Sequence, residues 1–557
     1  TQRTPVTTED RYRGCADAAW FRRMRAELGD ERLDRVLKAA KYASVSGEHK
    51  QAELFADVLR GQIGADELLT RMHEKRHQDA VRAYGLLPLP ERESDVLLRR
   101  YEVLRGFVST GKSSGPQRRA AETAAVHTAL ENLARGAGYR DPQRLIWAME
   151  ARTAADLAQG AVVAVDGDVT VSLSIDEQGM PVIGVDRAGK ALAAVPSKSR
   201  KAEAVAAVMN RAKELKNQAR RMRSSLEAAC VLGDVFDPEE FVLLRDHPQL
   251  GRMLADLVLV DAEGRVGFLS ADGDDLVSVD GTTIEPLGGL RIAHPVDLLA
   301  SGDWPDLQHA IMMRGRPQPF KQLFRELYTP TENERGEGGI SSRRYVGHQI
   351  DARRASGLFA ARNWVRYHGN GFERTFHNEK IHVFCNVEDG WGTAAEVEGA
   401  TINDVRFGPV GSWRAIALDE VPPRVYSEAM RDLNLVVSVG HASGVDPQGS
   451  ESTVEVRARI VDETCLMLGI VNVEVSGHHA RVTGALGTYS VHLGSGIMHR
   501  IPGNTLFVIP VGAQHRGRVF LPFVDDDPRT AEILSKVVML AADDKIKDPT
   551  ILSQLVR

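Results

Sequence analysis

Val169-Thr170-Val171-Ser172-Leu173-Ser174-Ile175 alternates apolar and polar residues without a break. Side chains two apart share one face of a strand, so the run predicts a half-buried strand. Asp166-Gly167 before it and Gln178-Gly179 after it supply turns, and residues 161–196 together predict a small antiparallel meander. The stretch decides the fold class because the chain changes its periodicity here. Upstream, residues 1 to about 160 are rich in Ala, Leu, Glu and Arg, with apolar residues three and four apart. Leu33, Val36, Leu37 and Ala40 fit one helical face, and Leu54, Val58 and Leu59 another. Pro88 and Pro90 interrupt this region. It shows no fixed repeat period, which argues against a solenoid.

Downstream, residues 199–229 predict one long helix. Val205, Val208, Ala212, Leu215, Ala219, Met222 and Leu226 follow a 3-4-3-4 spacing that makes a coiled-coil-like seam. Lys213, Lys216, Arg220, Arg221 and Arg223 flank it; they read as a solvated face or as a docking face for a partner or nucleic acid. Residues 235–330 mix short helices with hairpins, and Leu257–Val260 predicts a buried strand. Residues 331–342 are polar and Gly-rich and predict a mobile loop before a basic helical stretch. Strands are expected at Ile381–Val387, Leu435–Val439, Val471–Val475, Tyr489–Leu493, Leu506–Pro510 and Val519–Phe523, then a helix from about Thr530 to Leu540. The fold class is therefore α+β, a helical N-terminal region followed by a mixed, strand-rich C-terminal region. Its expected segments are 1–160 (helical), 161–235 (meander plus long helix), 236–340 (mixed) and 341–557 (strand-rich, with an Arg-rich helical entry).

The 557 residues are ample for a core without a metal or disulfide staple, and as a prior suggest three or four domains. The net charge of −6 means that any nucleic-acid contact must come from a local basic patch. Cys15, Cys230, Cys385 and Cys465 are widely spaced and form no CxxC pair, which points to a reducing compartment and away from zinc. The first thirty residues are heavily charged, unlike a signal peptide. No apolar run reaches the ~18 residues of a membrane span. A cytoplasmic protein without membrane contact is expected.

Four motifs carry chemistry on paper. Gly106 through Gly111, Lys112 and Ser113 match GxxxxGK[ST], in which backbone amides cradle phosphates and Lys reaches them. A P-loop must follow a buried strand, however, and Asp95–Arg105 is charged and helix-spaced, so a loop between helices is the better reading. Leu257-Val258-Leu259-Val260-Asp261 is Walker-B-like, but Asp261 before Gly264 reads equally as a turn. Between Arg343 and Arg374 lie Arg343, Arg344, Arg353, Arg354, Arg362, Arg366 and Arg374, interleaved with Tyr345, Phe359, Trp364, Tyr367 and Phe372. Arginine forks match phosphates and aromatics stack bases; one helical face could carry Arg354, Arg362 and Arg366. The bland alternative is arginines paired with carboxylates and aromatics in a core. Finally, Gly494-Ser495-Gly496 with His492, His499, Arg516 and Arg518 reads as an anion-binding turn or as an ordinary tight hairpin. His492 and His499 match no standard metal spacing, so no metal is expected. No GxSxG elbow or local Cys motif occurs, and no cofactor is expected.

Several segments resemble the MolR-like group of bacterial proteins, an uncharacterised family with a domain of unknown function often joined to a WGR module. They are Arg76-His77-Gln78-Asp79-Ala80-Val81-Arg82 with Gly85-Leu86-Leu87-Pro88; Arg223-Ser224-Ser225-Leu226-Glu227-Ala228 leading to His247-Pro248; Gln318-Pro319-Phe320-Lys321-Gln322-Leu323-Phe324-Arg325-Glu326-Leu327-Tyr328; and, most specifically, Tyr489 to Gly496, Arg518 to Phe523 and Lys545 to Asp548. The resemblance implies no assigned chemistry. It does imply partners, because relatives look like companions of MoxR-type AAA+ ATPases and von Willebrand A-type proteins. The WGR module of relatives is associated with nucleic acid, but no Trp-Gly-Arg tripeptide occurs here. The leading expectation is a non-enzymatic scaffold or adaptor. The alternatives are a nucleic-acid-associated protein using Arg343–Arg374, and an enzyme acting on a nucleotide or phosphorylated ligand at the C-terminal sheet.

Overall fold

Short polar side chains set the helix starts in the N-terminal part of the chain. Asp17, His77 and Asp141 accept the backbone N–H of Trp20, Ala80 and Arg144. Pro116 and Pro142 sit in first turns, where a missing N–H costs nothing. The computed structural model describes the chain apart from residues 1–5, 7, 44–47, 90–93, 111–114, 336–338, 368–370, 389–398, 413, 441–449, 507–519, 525–527 and 556–557. It divides into two compact units: Thr1–Val162 with Asp246–Pro248, and Val163–Arg245 with Gln249–Arg557.

The first unit is built of helices. Ala65–Lys75, Gln78–Tyr84, Ser94–Thr110 and Pro116–Gly136 enclose a core that includes Leu68, Met72, Val81, Leu104, Phe107 and Leu133. At Gly85 a Cβ would stand 2.1 Å from the Ala129 carbonyl oxygen, so only glycine permits this backbone approach. A smaller core of Phe21, Leu33 and Ala56 joins the helices Ala18–Leu28, Asp30–Ala43 and Glu48–Leu59.

The second unit holds four sheets, and the chain is α+β. Val162–Asp166, Val169–Ile175, Pro181–Arg187 and Lys190–Ala191 form the meander. Val169, Val171, Leu173 and Ile175 are buried in strict alternation. The helix Glu203–Leu232 packs on this meander through the predicted seam, every member of which is buried. Leu257–Val260 yields the strand Val258–Val260 of a five-stranded sheet. A six-stranded sheet centres on Ile381–Glu388 and Gly399–Pro409, and a five-stranded one runs from Val473–Ser476 to Asn504–Leu506.

A buried strap without regular structure, Gln318–Tyr328, threads the second unit. A loop inside a protein strands its backbone polar groups unless side chains replace the missing ladder. Here they do. Gln322 Nε2 donates to the carbonyls of Val258 (2.7 Å) and Ala293 (2.9 Å), and its Oε1 accepts from Val258 N at 3.0 Å. Gln318 Nε2 donates to Asp256 O, and its backbone bonds Pro522 and Val524. Trp304 and Gln308 both donate to Leu323 O.

Some sequence expectations are corrected. Leu435–Val439 is not a strand; it lies in the helix Pro423–Gly440. That helix is buried on most sides, and its β-branched Val436, Val437 and Val439 read locally as a strand. Of residues 331–342, expected as a loop, Glu332–Arg335 form a helical turn with Glu334 buried and Ser341–Ser342 a short strand, while residues 336–338 lie outside the described residues. Of Leu506–Pro510, only Leu506 lies among the described residues, in a strand. Of Val519–Phe523, Phe523 makes an isolated bridge to Gln318, and Val519 lies outside the described residues. No helix among the described residues is long and apolar enough to cross a membrane.

Candidate functional site

Two concavities stand out, one in each unit. In the first, the helices Ala18–Leu28, Asp30–Ala43 and Glu48–Leu59 enclose an open groove of about 340 Å³. Phe21, Leu33 and Ala56 are buried within it, with Met24, Leu37 and Leu59 partly exposed beside them. One wall is formed by Leu33, Val36 and Leu37 of the stripe expected from the sequence. Only Leu33 is fully covered; Val36 is 54% exposed. Trp20 at the same groove is 37% exposed. Apolar area left in water forgoes about 25 cal/mol per Å², so a matching stripe laid on this wall would be stabilised by what the unit leaves uncovered.

In the second unit, buried charges brace the strap. Arg325 donates to both oxygens of Glu428 at 2.7 Å and to Glu227 at 2.8 Å. His294 Nδ1 accepts from Val296 N, which leaves Nε2 to donate to Glu428 at 3.0 Å. Burial opposes the Glu428 charge, but Arg325 and His294 hold its carboxyl well below the usual range. Lys321 and Arg431 share Glu326, at 2.6 and 3.0 Å. Asp432 receives Trp364 Nε1, Arg374 and Arg362.

Beside the end of the strap opens a polar cleft of about 560 Å³. Tyr328 Oη meets Ser450 Oγ at 2.8 Å, and Ser450 Oγ meets Thr453 Oγ1 at 3.0 Å. Burial pushes the Tyr328 hydroxyl up to about 12, so it is a donor rather than a base at neutral pH. Arg344 lines the cleft but is committed to Glu334 and the Thr329 carbonyl, both at 2.8 Å. Glu334 also accepts from Thr331, Ser342 and Tyr426. The cleft can hydrogen-bond a polar ligand. Around it the Tyr328, Ser450 and Thr453 hydroxyls bond one another, Ser452 Oγ donates to the Leu327 carbonyl, and the Thr331 hydroxyl donates to Glu334.

The arginine-rich stretch is divided by the fold. Its helix, Ala352–Ala360, stops before Arg362, and Arg366 lies in the strand Val365–Tyr367, so one helical face does not carry Arg354, Arg362 and Arg366. Arg362 and Arg374 turn onto Asp432, and Arg344 onto Glu334. Arg343, Arg353, Arg354 and Arg366 are exposed. Tyr345, Phe359, Trp364 and Phe372 are core residues, with Phe359 and Phe372 stacked at 4.2 Å. Gly106 lies inside the helix Ser94–Thr110, not after a strand, while Gly111, Lys112 and Ser113 lie outside the described residues. Asp261 closes a hairpin, bonding Arg265, Glu263 N and Leu287 N.

At the C-terminal sheet, His492 Nδ1 accepts from Ser495 N at 3.0 Å, and Gly496 N donates to His492 O. The turn carbonyls face cations instead: Arg457 caps Leu493 and Gly494, Arg529 caps Ser495, and Lys536 caps Gly496. The amides of Ser495 and Gly496 are thus spent within the turn, which is braced as a hairpin. Arg516 and Arg518 lie outside the described residues. No group of three or more His, Cys, Asp or Glu among the described residues is placed to hold a metal ion.

The buried charges on Pro423–Gly440 escaped the sequence reading, although a signal was present. Glu428 and Asp432 are four apart and interrupt the apolar set Val425, Ala429, Leu433 and Val436. Carboxylates inside an apolar face demand buried partners. The strap itself has no period to detect.

Comparison with known families adds similarity without chemistry. Residues 1–149 are similar to a family of unknown function (DUF5724), residues 189–364 to a domain of unknown function (DUF4132), and residues 454–555 to another (DUF7737). No curated protein and no solved structure matches the chain.

Proposed function

We propose that the protein is a non-enzymatic scaffold or adaptor whose helical unit receives an amphipathic helix of a partner protein. The observation that carries this reading is the groove of Ala18–Leu28, Asp30–Ala43 and Glu48–Leu59, with its half-covered stripe. Helices recognise one another by laying apolar residues at i, i+3, i+4 and i+7 into such a groove. Exposed Tyr12, Trp20 and Tyr42 lie in the same segment, and tyrosine and tryptophan are the side chains that dominate protein interfaces. The resemblance to MolR-like proteins supplies the class of partner, a MoxR-type AAA+ ATPase or a von Willebrand A-type protein. A cytoplasmic setting belongs to this reading and is supported by the four unpaired, buried cysteines.

Val36→Glu tests it. The residue is exposed, so the fold should keep its circular dichroism and melting temperature. Capture of an AAA+ or von Willebrand A-type protein from nuclease-treated extracts should fall at least tenfold. Equal capture by the variant would overturn the groove as the docking site. A second reading, nucleic-acid association, keeps the exposed Arg343, Arg353, Arg354 and Arg366 as its support; partners released by nuclease treatment would favour it.

A further inference from the structure

The helix Glu203–Leu232 spans about 45 Å at 1.5 Å per residue. Its seam is buried, and the opposite face is open to solvent. Between Asn210 and Ser224 that face presents Lys213, Lys216, Arg220 and Arg221 against the single carboxylate of Glu214. Asn210, Asn217 and Ser224 fill the positions between them. Lys213, Lys216 and Arg220 fall within about 60° of one another around the axis at 100° per residue. Among the described residues, none of the three charged groups has an ion pair or side-chain hydrogen bond.

This composition selects among polyanions. No large apolar side chain is exposed along the helix, so nothing would insert into lipid. A protein interface would need an apolar centre, which the face also lacks. Lys, Arg, Asn and Ser are the side chains that meet phosphate oxygens. A nucleic-acid strand offers one charge per about 3.4 Å of axis, dense enough to meet cations about 4.5 and 6 Å apart along the helix. The chain as a whole carries −6, so the attraction would be local to this face.

We infer that the exposed face of the Glu203–Leu232 helix, centred on Lys213, Lys216 and Arg220, is a sequence-independent site for a nucleic-acid backbone. This is independent of the groove and of the arginines between 343 and 374. The test is fluorescence anisotropy of the full chain with labelled 30-base-pair DNA and RNA duplexes across a salt series. Three phosphate contacts give a slope of log K against log salt of about −2.7, or about a 40-fold loss of affinity between 50 and 200 mM salt. Lys213→Gln/Lys216→Gln/Arg220→Gln should flatten the slope by about 2.7, and Arg353→Gln/Arg354→Gln should leave it unchanged. Glutamine is a good helix former and the positions are exposed, so circular dichroism should match the wild type. Preference for one duplex would name the natural source. The inference is overturned if neither duplex binds at 50 mM salt, if the triple variant keeps the wild-type slope, or if polyglutamate binds the same face while the duplexes do not.

Discussion

Arg325→Met would remove the keystone of the buried charges. Arg325 is 2% exposed and Glu428 1%, and two 2.7 Å bonds join them. Methionine fills similar space but leaves Glu428 with His294 alone. Deleting one partner of a buried ion pair costs about 3–5 kcal/mol, because the other charge stays buried and uncompensated. At roughly 2 °C per kcal/mol for a large domain, the transition of the second unit should fall by about 6–10 °C in scanning calorimetry. The pH dependence follows from the direction of the shift. In the wild type the folded Glu428 carboxyl lies below its usual range, so its contribution is complete above the unfolded pKa and is lost as pH falls through the folded value. Without Arg325, burial raises the carboxyl instead, and the variant avoids part of the penalty by taking up a proton. The gap between wild type and variant should therefore be widest near pH 8 and narrow toward pH 5. Arg325→Met/Glu428→Met should recover most of the loss, since replacing both partners is often close to neutral. A single variant within about 1 kcal/mol of wild type, a gap that widens toward pH 5, or a double variant as unstable as the sum of the singles would refute the reasoning.

Gln322→Leu should destabilise the second unit by about 2–4 kcal/mol in urea titration, because it orphans Val258 N and strips the strap of its bonds to Val258 and Ala293. Gly85→Ala should cost the helical unit about 1–3 kcal/mol, seen as earlier cleavage in limited proteolysis, because its Cβ meets a backbone carbonyl and not a flexible side chain. Burial pushes the thiols of Cys230 and Cys385 up to about 12 and those of Cys15 and Cys465 to about 11. A disulfide reagent at pH 8 should then label fewer than one thiol per native chain and all four after denaturation.

Elements with one wetted face were legible in the sequence. The seam of Glu203–Leu232 and the alternation of Val169–Ile175 both rest on a contrast between buried and solvated sides, which periodicity records. Pro423–Gly440 lacks that contrast, and its β-branched Val436, Val437 and Val439 imitate a strand. The strap is held by side chains of Gln318 and Gln322 that reach residues some sixty positions away, so no local pattern marks it. The apolar stripe of Asp30–Ala43 was visible, whereas its poor coverage depends on how three helices pack. The arginines failed as a single site because their partners, Asp432 and Glu334, belong to distant or irregular segments.

The most direct test of the scaffold reading places a photo-crosslinking amino acid at position 36, in the full chain and in its native cells, with a second copy of the experiment at exposed Leu243 as control. The account predicts a protein adduct at position 36 that is absent at 243, with crosslinked residues spaced three and four apart in one amphipathic helix of the partner. Adducts at 243 with none at 36 would contradict it.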